Sequence, residues 1–325
     1  MTQAQKQIEP ACRRFEALGT LNELTVFDGH GGHAPEQAEA RVREIDARMS
    51  VFRPESDIAW LNAAAGKTAV PVHAETLRLL ADAKRFAVRS GGAFDVTVRP
   101  LVALWGVGGK EERVPVLREI RCARRLVNSR ALVCDAKRGT AFLKKTGQAV
   151  DLGGIAKGYA ADEVVRILRE SGVQSALVNL GGNIAVLGDR SDRQPWRVGI
   201  QNPAARRGDY LGVLHLTGGS VVTSGVNERF FIQDGVRCHH LIDPRTGRPA
   251  QSGLLSVTVV CSRSTDADAL STALFILGVR GLPLLRAYAA EAVFAMENGQ
   301  IFTTKGLAGR FVLFPASAQK GAFHA

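Results

Sequence analysis

Residues 150–164 constrain the fold of this chain most, because they join a glycine-rich loop directly to a helix-forming stretch that runs to Ser171. The loop at 151–158 contains one carboxylate, three glycines and one lysine that can carry chemistry: Asp151, Gly153, Gly154, Gly158 and Lys157. Glycines let the main chain approach a phosphate or a metal ion closely, and a helix N-terminus presents free N–H groups and a positive dipole end. A turn whose glycines serve packing alone explains this segment equally well.

The segment does not match the two familiar phosphate-binding loops. A Walker A loop ends in Gly-Lys-Ser/Thr, whereas here the lysine precedes Gly158 and Tyr159 follows it. A dinucleotide-binding fingerprint requires Gly-x-Gly-x-x-Gly, and residues 153–158 lack that spacing. Both classes are therefore excluded for this loop.

The charge balance favours anionic partners. The 325 residues carry a formal net charge of +11 and a pI near 9.9, which suits nucleic acid, a membrane surface or a phosphorylated small molecule. Aromatic residues make up only 6% of the chain, and Ile120 and Leu126 interrupt the basic residues of 118–130. We therefore interpret that stretch as a solvated helix face and expect no nucleic-acid partner.

Cysteine usage and hydropathy bear on the cellular compartment. The five cysteines are odd in number and include no Cys-x-x-Cys pair, so we expect neither a disulfide framework nor a zinc site, but reduced, mostly buried thiols. No apolar run approaches the length that spans a bilayer, the best candidate being 273–279, and the first ten residues contain no secretory signal or lipobox. We expect a cytoplasmic protein without an integral membrane segment, or a periplasmic one if a leader has been removed.

Apolar spacing predicts helices and strands in mixed order. Helices are predicted at 35–49, 75–89, 117–125 and 265–277, after Ser56 or Asp57, and in the stretch that ends at Ser171. Strands are predicted at 21–27, 131–134, 141–143, 176–180, 184–187, 196–201, 210–216 and 220–223, with a further β-rich run at 96–101. Because strict βαβ alternation is absent, we expect an α+β fold, a single domain of mixed sheets with flanking helices.

A carboxylate and a hydroxyl share one face of the late helix. Asp266 is predicted as its N-cap, and Asp268 and Thr272 lie four residues apart. Their oxygens are hard donors that can hold Mg²⁺ while leaving positions for phosphate and water. Alternatively, Asp268 is a second capping carboxylate and Thr272 bonds back to a carbonyl of its own helix. This structural interpretation is favoured when the pair is considered alone. Asp95 is likewise either a turn former, the commoner role, or a ligand contact.

Two histidines precede a turn. Residues 243–247, Asp-Pro-Arg-Thr-Gly, have the composition of a turn, and His239 and His240 come shortly before it. Such histidines are more often structural than catalytic. A histidine held near a carboxylate is nevertheless the usual general base, so both interpretations stand.

Taken together, these stretches resemble the ApbE family, the FAD:protein FMN transferases, from about Phe15 to Phe314. The matching motifs follow the family's order: 18–20, 52–56, 92–97 running to 104–106, 151–162, 178–182, 223–225, 240–249 and 267–272. The resemblance implies one domain over 15–314, with an N-terminal tail at 1–14 and a C-terminal tail at 315–325.

The resemblance also implies an activity. Members cleave the FAD pyrophosphate with Mg²⁺, attach FMN through a phosphodiester to a threonine of an acceptor protein, and release AMP. It implies FAD as substrate, Mg²⁺ as cofactor and an acceptor that is a redox flavoprotein subunit. An Mg²⁺-dependent FAD pyrophosphatase and a non-catalytic flavin carrier are the alternatives.

By the same resemblance, individual residues receive roles. His240 would be the base, and Asp268 and Thr272, with the backbone carbonyl near Gly154, would hold Mg²⁺. The FAD site would be lined by eight residues: Leu18, Phe52, Ala93, Phe94, Asp95, Asp151, Lys157 and Ile242.

Three departures qualify the resemblance. Many members are exported lipoproteins, whereas no signal or lipobox cysteine is evident here, and two residues differ. Leu18 stands where methionine is common and Phe52 where tyrosine is common, and both keep an apolar surface for the flavin or the adenine. No Ala-Thr dipeptide occurs in the chain, although the family's target threonine usually follows an alanine. We therefore expect the acceptor to be a separate protein.

Overall fold

The computed structural model describes residues 10–29, 31–190 and 192–315. Within them the helices are α1 Ala34–Met49, α2 Asp57–Ala63, α3 Ala74–Arg89, α4 Arg99–Trp105, α5 Leu117–Arg124, α6 Ala156–Glu170, α7 Ser264–Leu277 and α8 Leu282–Ala287. The early strands are β1 Ala11–Ala17, β2 Thr20–Val26, β3 Val70–Pro71, β4 Leu132–Asp135, β5 Thr140–Leu143, β6 Ala176–Leu180, β7 Asn183–Leu187, β8 Trp196–Gln201 and β9 Tyr210–Leu216. The later strands are β10 Gly219–Gly225, β11 Phe230–Gln233, β12 Val236–His239, β13 Ile242–Asp243, β14 Arg248–Pro249, β15 Leu254–Cys261, β16 Glu291–Met296, β17 Ile301–Thr303 and β18 Phe311–Leu313.

An antiparallel sheet of eight strands, in the order β1-β2-β6-β7-β10-β15-β16-β17, forms the centre of the molecule. Alternate residues of its strands face opposite sides, as the pleat requires. One side packs on α1, α6 and α7 in the main core, and the other packs on the three-stranded sheet β18-β9-β8. The α+β prediction of mixed sheets with flanking helices is confirmed.

Helix α6 is tied to its neighbours by a buried ion network. Arg41 and Arg48 of α1 bond the carboxylate of Glu75 in α3, and the hydroxyl of Tyr159 in α6 donates to it at 3.0 Å. Burial alone would raise the pKa of Glu75, but the two arginines outweigh burial and lower it to about 2. The first turn of α6 is thereby anchored on the side away from its N-terminal loop.

Some sequence predictions fail at element boundaries. Strand β1 begins at Ala11, so four residues assigned to the N-terminal tail belong to the central sheet. The run at 96–101 is not a strand, because α4 begins at Arg99, where Pro100 is well placed in a first helical turn. Among the thiols, which are all free, Cys12 and Cys122 are exposed, so the expectation of mostly buried cysteines is wrong.

The start of α7 also differs from the prediction. The helix begins at Ser264, and the acceptor for its first N–H groups is Asp162 of α6 rather than Asp266. Gly278 ends α7 as predicted. The helical stretch Ser264–Ala287 is long and apolar enough to cross a membrane by length and composition. Its most apolar 18-residue window has a mean hydropathy of 1.4, but 61% of that window is buried in the core of this fold.

Candidate functional site

Asp268 reaches from α7 to the N-terminus of α6. Its side chain is almost fully buried, and its Oδ2 accepts a hydrogen bond from the backbone N–H of Gly158 at 2.9 Å. A Cβ on Gly158 would lie 2.8 Å from the Cβ of Asp268 and would overlap the carbonyl oxygen of Ser264. Gly158 therefore permits the close approach of α6 and α7 that brings the carboxylate to the loop.

Burial raises the pKa of Asp268, whereas the positive charge of Lys157 and the Gly158 N–H favour its ionised form. Lys157 is half-buried, and its Nζ donates to the carbonyl oxygen of Gly153 at 3.2 Å. The amine thus lies above the same loop that the carboxylate approaches. A cation bound at Asp268 would further stabilise the ionised form.

Thr272 and Gly154 meet one helical turn further along α7. A Cβ on Gly154 would lie 3.3 Å from the Oγ1 of Thr272 and 3.3 Å from the Cε2 of Phe94. Thr272 Oγ1 is also 3.4 Å from the carbonyl oxygen of Asp268, so the back-bonding alternative is present as a long contact. The bare backbone of Gly154 therefore lies directly against the hydroxyl.

The residues assembled here fit a magnesium ion. Asp268, Thr272 and the backbone of Gly154 supply hard oxygen donors, which Mg²⁺ prefers. Among the described residues no group of three or more His, Cys, Asp and Glu side chains is arranged to hold a metal. A single carboxylate suits Mg²⁺ bound jointly with phosphate and water better than a cage made of protein ligands alone.

Asp151 connects the loop to an exposed aromatic ring through a residue that the sequence analysis missed. Its Oδ1 accepts the N–H of Gly153 at 2.9 Å, and its Oδ2 lies 3.5 Å from Nη1 of Arg99. The Arg99 guanidinium in turn lies 5.1 Å from the ring centroid of Phe52, which is 76% exposed. The available signal was a basic residue two positions after the predicted motif at 92–97, within a run of β-rich composition.

His240 is positioned by a backbone carbonyl. Its N–H and its ring Nδ1 lie 3.1 and 3.2 Å from the carbonyl oxygen of Arg229. A carbonyl can only accept, so Nδ1 carries the proton and Nε2 keeps its lone pair. Burial lowers the pKa of His240 to about 4, and the nearby charge of Lys157 contributes to that lowering. The imidazole is therefore a neutral base at pH 7.

The predicted carboxylate partner of the histidine is engaged elsewhere. Asp243 binds the guanidinium of Arg245 at 2.9 and 2.8 Å and also accepts that residue's N–H. His239 is buried, with Nε2 3.1 Å from the carbonyl oxygen of Ala250 and its ring edge-on to Phe275. His239 is structural by these contacts, and His240 alone faces the neighbourhood of Lys157.

Four predicted FAD-site residues have their described contacts in turns and core clusters. Asp95 accepts the N–H and hydroxyl of Thr97 at 2.8 and 2.6 Å and the N–H of Ser129 at 3.0 Å, which matches the turn-former interpretation. Ala93 is buried, and Ile242 lies in a buried cluster with Leu101 and Trp105. Leu18 packs partly against the main core.

Leu18 also has an unusual backbone. It has φ +56° in the turn between β1 and β2, a conformation that costs a leucine about 1 to 2 kcal/mol. By contrast, the contacts around the start of α6 bring together eight predicted residues: Phe52, Phe94, Asp151, Gly154, Lys157, His240, Asp268 and Thr272.

A cavity of about 420 Å³ lies outside this cluster, beside the turn that follows His240. It is lined by Asp243, Arg245, Thr246, Arg248, Pro249, Gln251, Ile276 and Arg280. None of the predicted site residues lines it. This cavity is therefore separate from the loop at 151–158.

The chain matches proteins of known family over most of its length. The sequence model of the ApbE family matches residues 18–294. The FAD:protein FMN transferase of Klebsiella pneumoniae is 38% identical over 272 residues, covering 83% of this chain and 84% of that protein, and the one of Treponema pallidum is 38% identical over 312 residues, covering 90% and 86%.

Solved structures agree in fold. The ApbE protein of Thermotoga maritima superposes with a TM-score of 0.86 at 32% identity, covering 93% of this chain and 99% of its own. The apo flavinyl transferase ApbE of Pseudomonas stutzeri superposes with a TM-score of 0.83 at 31% identity, covering 95% and 99%. The chain belongs to the ApbE family.

Proposed function

We propose that this protein is an Mg²⁺-dependent FAD:protein FMN transferase, which moves FMN from FAD to a threonine of an acceptor protein. The observation that carries the proposal is the convergence on one loop of Asp268, Thr272 and Lys157 with a neutral His240. Relatives with that name, 38% identical to this chain, support it.

The binding part of the mechanism lies at the N-terminus of α6. The positive end of its helix dipole and the ammonium of Lys157 would bind the diphosphate of FAD. Asp268, Thr272 and the Gly154 carbonyl would hold Mg²⁺, which neutralises phosphate charge when bound. Arg99 and the exposed ring of Phe52 form the rim on which a flavin or adenine ring can stack.

The proton is moved by His240. Its Nε2 would take the hydroxyl proton of the acceptor threonine as the oxygen attacks the FMN phosphorus. A new P–O bond forms to the threonine, the phosphoanhydride bond breaks, and AMP leaves with the electron pair of that bond. Because the imidazole is neutral at pH 7, no prior deprotonation is needed.

The direct test is covalent labelling. The purified protein is incubated with FAD, Mg²⁺ and an extract of source cells that lack it, and the proteins are separated under denaturing conditions. We expect at least one flavin-fluorescent band whose tryptic peptide carries FMN on a threonine, and no band when Mg²⁺ is chelated.

Two results would replace the proposal with its alternatives. Release of FMN and AMP without a labelled protein indicates a pyrophosphatase, in which water takes the place of the threonine. Tight FAD binding without turnover, unchanged in His240→Ala, indicates a flavin carrier.

A further inference from the structure

The hairpin β11–β12 directly precedes His240 and holds it. The carbonyl oxygen of Arg229, the residue before β11, accepts both hydrogen bonds of His240. In the described part of the chain β11 and β12 form a sheet with each other alone. The outer edge of each strand therefore has backbone groups that a further strand can bind.

The two faces of this hairpin differ. Phe231 pairs with Cys238 on the inner face, and both belong to the cluster around Leu101 and Trp105. Ile232 pairs with Arg237 on the opposite face. The inner face thus attaches the hairpin to the body of the protein. On the outer face Phe230, Ile232 and Arg237 are exposed, and His239 at its base is buried.

The outer face carries two exposed apolar side chains beside an arginine. Ile232 is 63% exposed and Phe230, two residues before it, is 38% exposed. The Arg237 guanidinium lies 4.6 Å from the ring centroid of Phe230 and donates to Asn227 Oδ1 at 3.0 Å. We call Phe230, Ile232 and Arg237 the hairpin face. Neighbouring exposed apolar side chains of this kind are typical of interaction surfaces.

The hairpin tip adds exposed apolar side chains on the side of Phe231 and Cys238. Val236 is 59% exposed, and Gln233 Oε1 accepts the N–H of Val114, whose side chain is also exposed. Residues 228–239 contain two arginines, one glutamate and one aspartate, so their formal charges cancel. A partner bound here is recognised by apolar and backbone contacts and not by the chain's overall charge of +11.

We propose that the hairpin face binds the acceptor protein, a proposal that rests on the proposed transferase function. The acceptor would contribute an extended segment with apolar side chains beside its target threonine. The threonine hydroxyl has to come within hydrogen-bond distance of His240 Nε2, so the acceptor has to cover the surface next to that ring. The hairpin is the element continuous with His240, and it offers both free strand edges and apolar side chains. Strand addition is a common mode of binding extended peptides.

The test measures transfer kinetics in Ile232→Asp, with the purified acceptor that the labelling experiment identifies. We expect the KM for acceptor to rise about tenfold or more, with the KM for FAD unchanged. Val312→Asp is the matched control, because Val312 is an equally apolar, 49% exposed residue on the separate sheet β18-β9-β8. An unchanged acceptor KM in Ile232→Asp would overturn the proposal.

A tethered acceptor distinguishes two causes of slow transfer in Ile232→Asp, namely weaker binding of the acceptor and a displaced His240. The threonine segment of the acceptor is fused to the C-terminus through a long flexible linker, which raises its effective concentration to about the millimolar range. We expect Ile232→Asp to recover the wild-type transfer rate in this fusion. A rate that stays low would mean that the hairpin acts on His240 itself, which contradicts a docking role.

The labelling experiment distinguishes the two proposals. If the wild-type protein labels no acceptor, the transferase function fails and the docking proposal fails with it. If the wild type labels its acceptor and Ile232→Asp does so with the same KM, the docking proposal alone fails.

Discussion

The N-terminus of each of the helices α6 and α7 is capped by a carboxylate from the other helix, and the two carboxylates differ in how many hydrogen bonds they accept. Asp162 of α6 accepts the N–H groups of Ser264 and Thr265 at 2.7 and 2.9 Å and the hydroxyl of Thr265 at 2.5 Å. Asp268 of α7 accepts the single N–H of Gly158. Both are helix caps supplied from another helix, which local capping rules do not anticipate.

The two carboxylates differ in the number of oxygens that are left to bind a ligand. Both oxygens of Asp162 are used within the protein, so its role is structural. Asp268 uses Oδ2 for Gly158, and the described residues include no hydrogen-bond donor to its Oδ1. Since Thr272, Gly154 and Lys157 lie around the same carboxylate, this cap is also suited to bind a cation. The predictions below test this comparison.

Asp268→Asn should have the largest effect. The amide oxygen can still accept the Gly158 N–H, but the charge that binds Mg²⁺ is lost. We expect the transfer rate to fall by about 10²- to 10³-fold, as when one electrostatic group is removed from an active site. Steady-state transfer assays over an Mg²⁺ series, with circular dichroism as the folding control, measure this. A rate near that of the wild type would mean that Asp268 only caps a helix, as Asp162 does, and does not bind Mg²⁺.

The pH dependence of the transfer rate tests His240 as the base. Because the pKa of His240 is lowered to about 4, it stays neutral and the transfer rate should stay constant from pH 7 to about 5. Replacing Lys157 by methionine removes a charge that lowers this pKa, so the acidic limb should move to higher pH. An acidic limb near pH 6.5 in the wild type would contradict the assignment of His240 as a half-buried, neutral imidazole.

The same shift makes a prediction for stability. Between about pH 6.5 and 4 the unfolded chain protonates this histidine while the folded protein resists protonation. The unfolded state thus binds more protons, so the contribution of His240 should decrease stability as pH falls through that window. Urea unfolding of wild type and His240→Ala across the window isolates the contribution.

Asp162→Ala should damage stability more than chemistry. It leaves the N–H groups of Ser264 and Thr265 without their acceptor, which costs about 1 to 3 kcal/mol. Thr265→Val removes only the hydroxyl contact and is the milder control. Chemical denaturation gives the free energy of unfolding. Equal losses of transfer rate in Asp162→Ala and Asp268→Asn, measured where both are folded, would erase the distinction between the two carboxylates.

Arg99→Ala should have the smallest effect. Arg99 lies between Phe52 and Asp151, a third carboxylate that is bonded within its own loop. Loss of the stacking contact, worth about 0.5 to 1 kcal/mol, should raise the KM for FAD by about two- to fivefold and leave kcat unchanged. Arg130→Ala, at an exposed arginine outside this group of contacts, is the control. A fall in kcat would place Arg99 at the reacting phosphates.

Local sequence was sufficient for much of this site. The glycine-rich loop, the helix after it and the Asp268–Thr272 pair follow from turn chemistry and helical spacing, and the motif order identifies the family. It was not sufficient for the cap of α7. Asp266 is the local candidate, but the cap comes from Asp162, more than a hundred residues earlier. Arg99 was missed because 96–101 has β-rich composition although tertiary packing makes α4 begin there.

The sequence by itself determined the chemical types of the groups and their spacing along each element, because these depend on backbone periodicity and on the conformational freedom of glycine. Only the tertiary structure decided which groups meet. The approach of α6 to α7 at Gly158 gives Asp268 its N–H partner, and the Arg229 carbonyl selects the tautomer of His240. Burial then shifts the pKa of both groups, because the cost of removing a charge from water depends on everything packed around it and not on its neighbours in the chain.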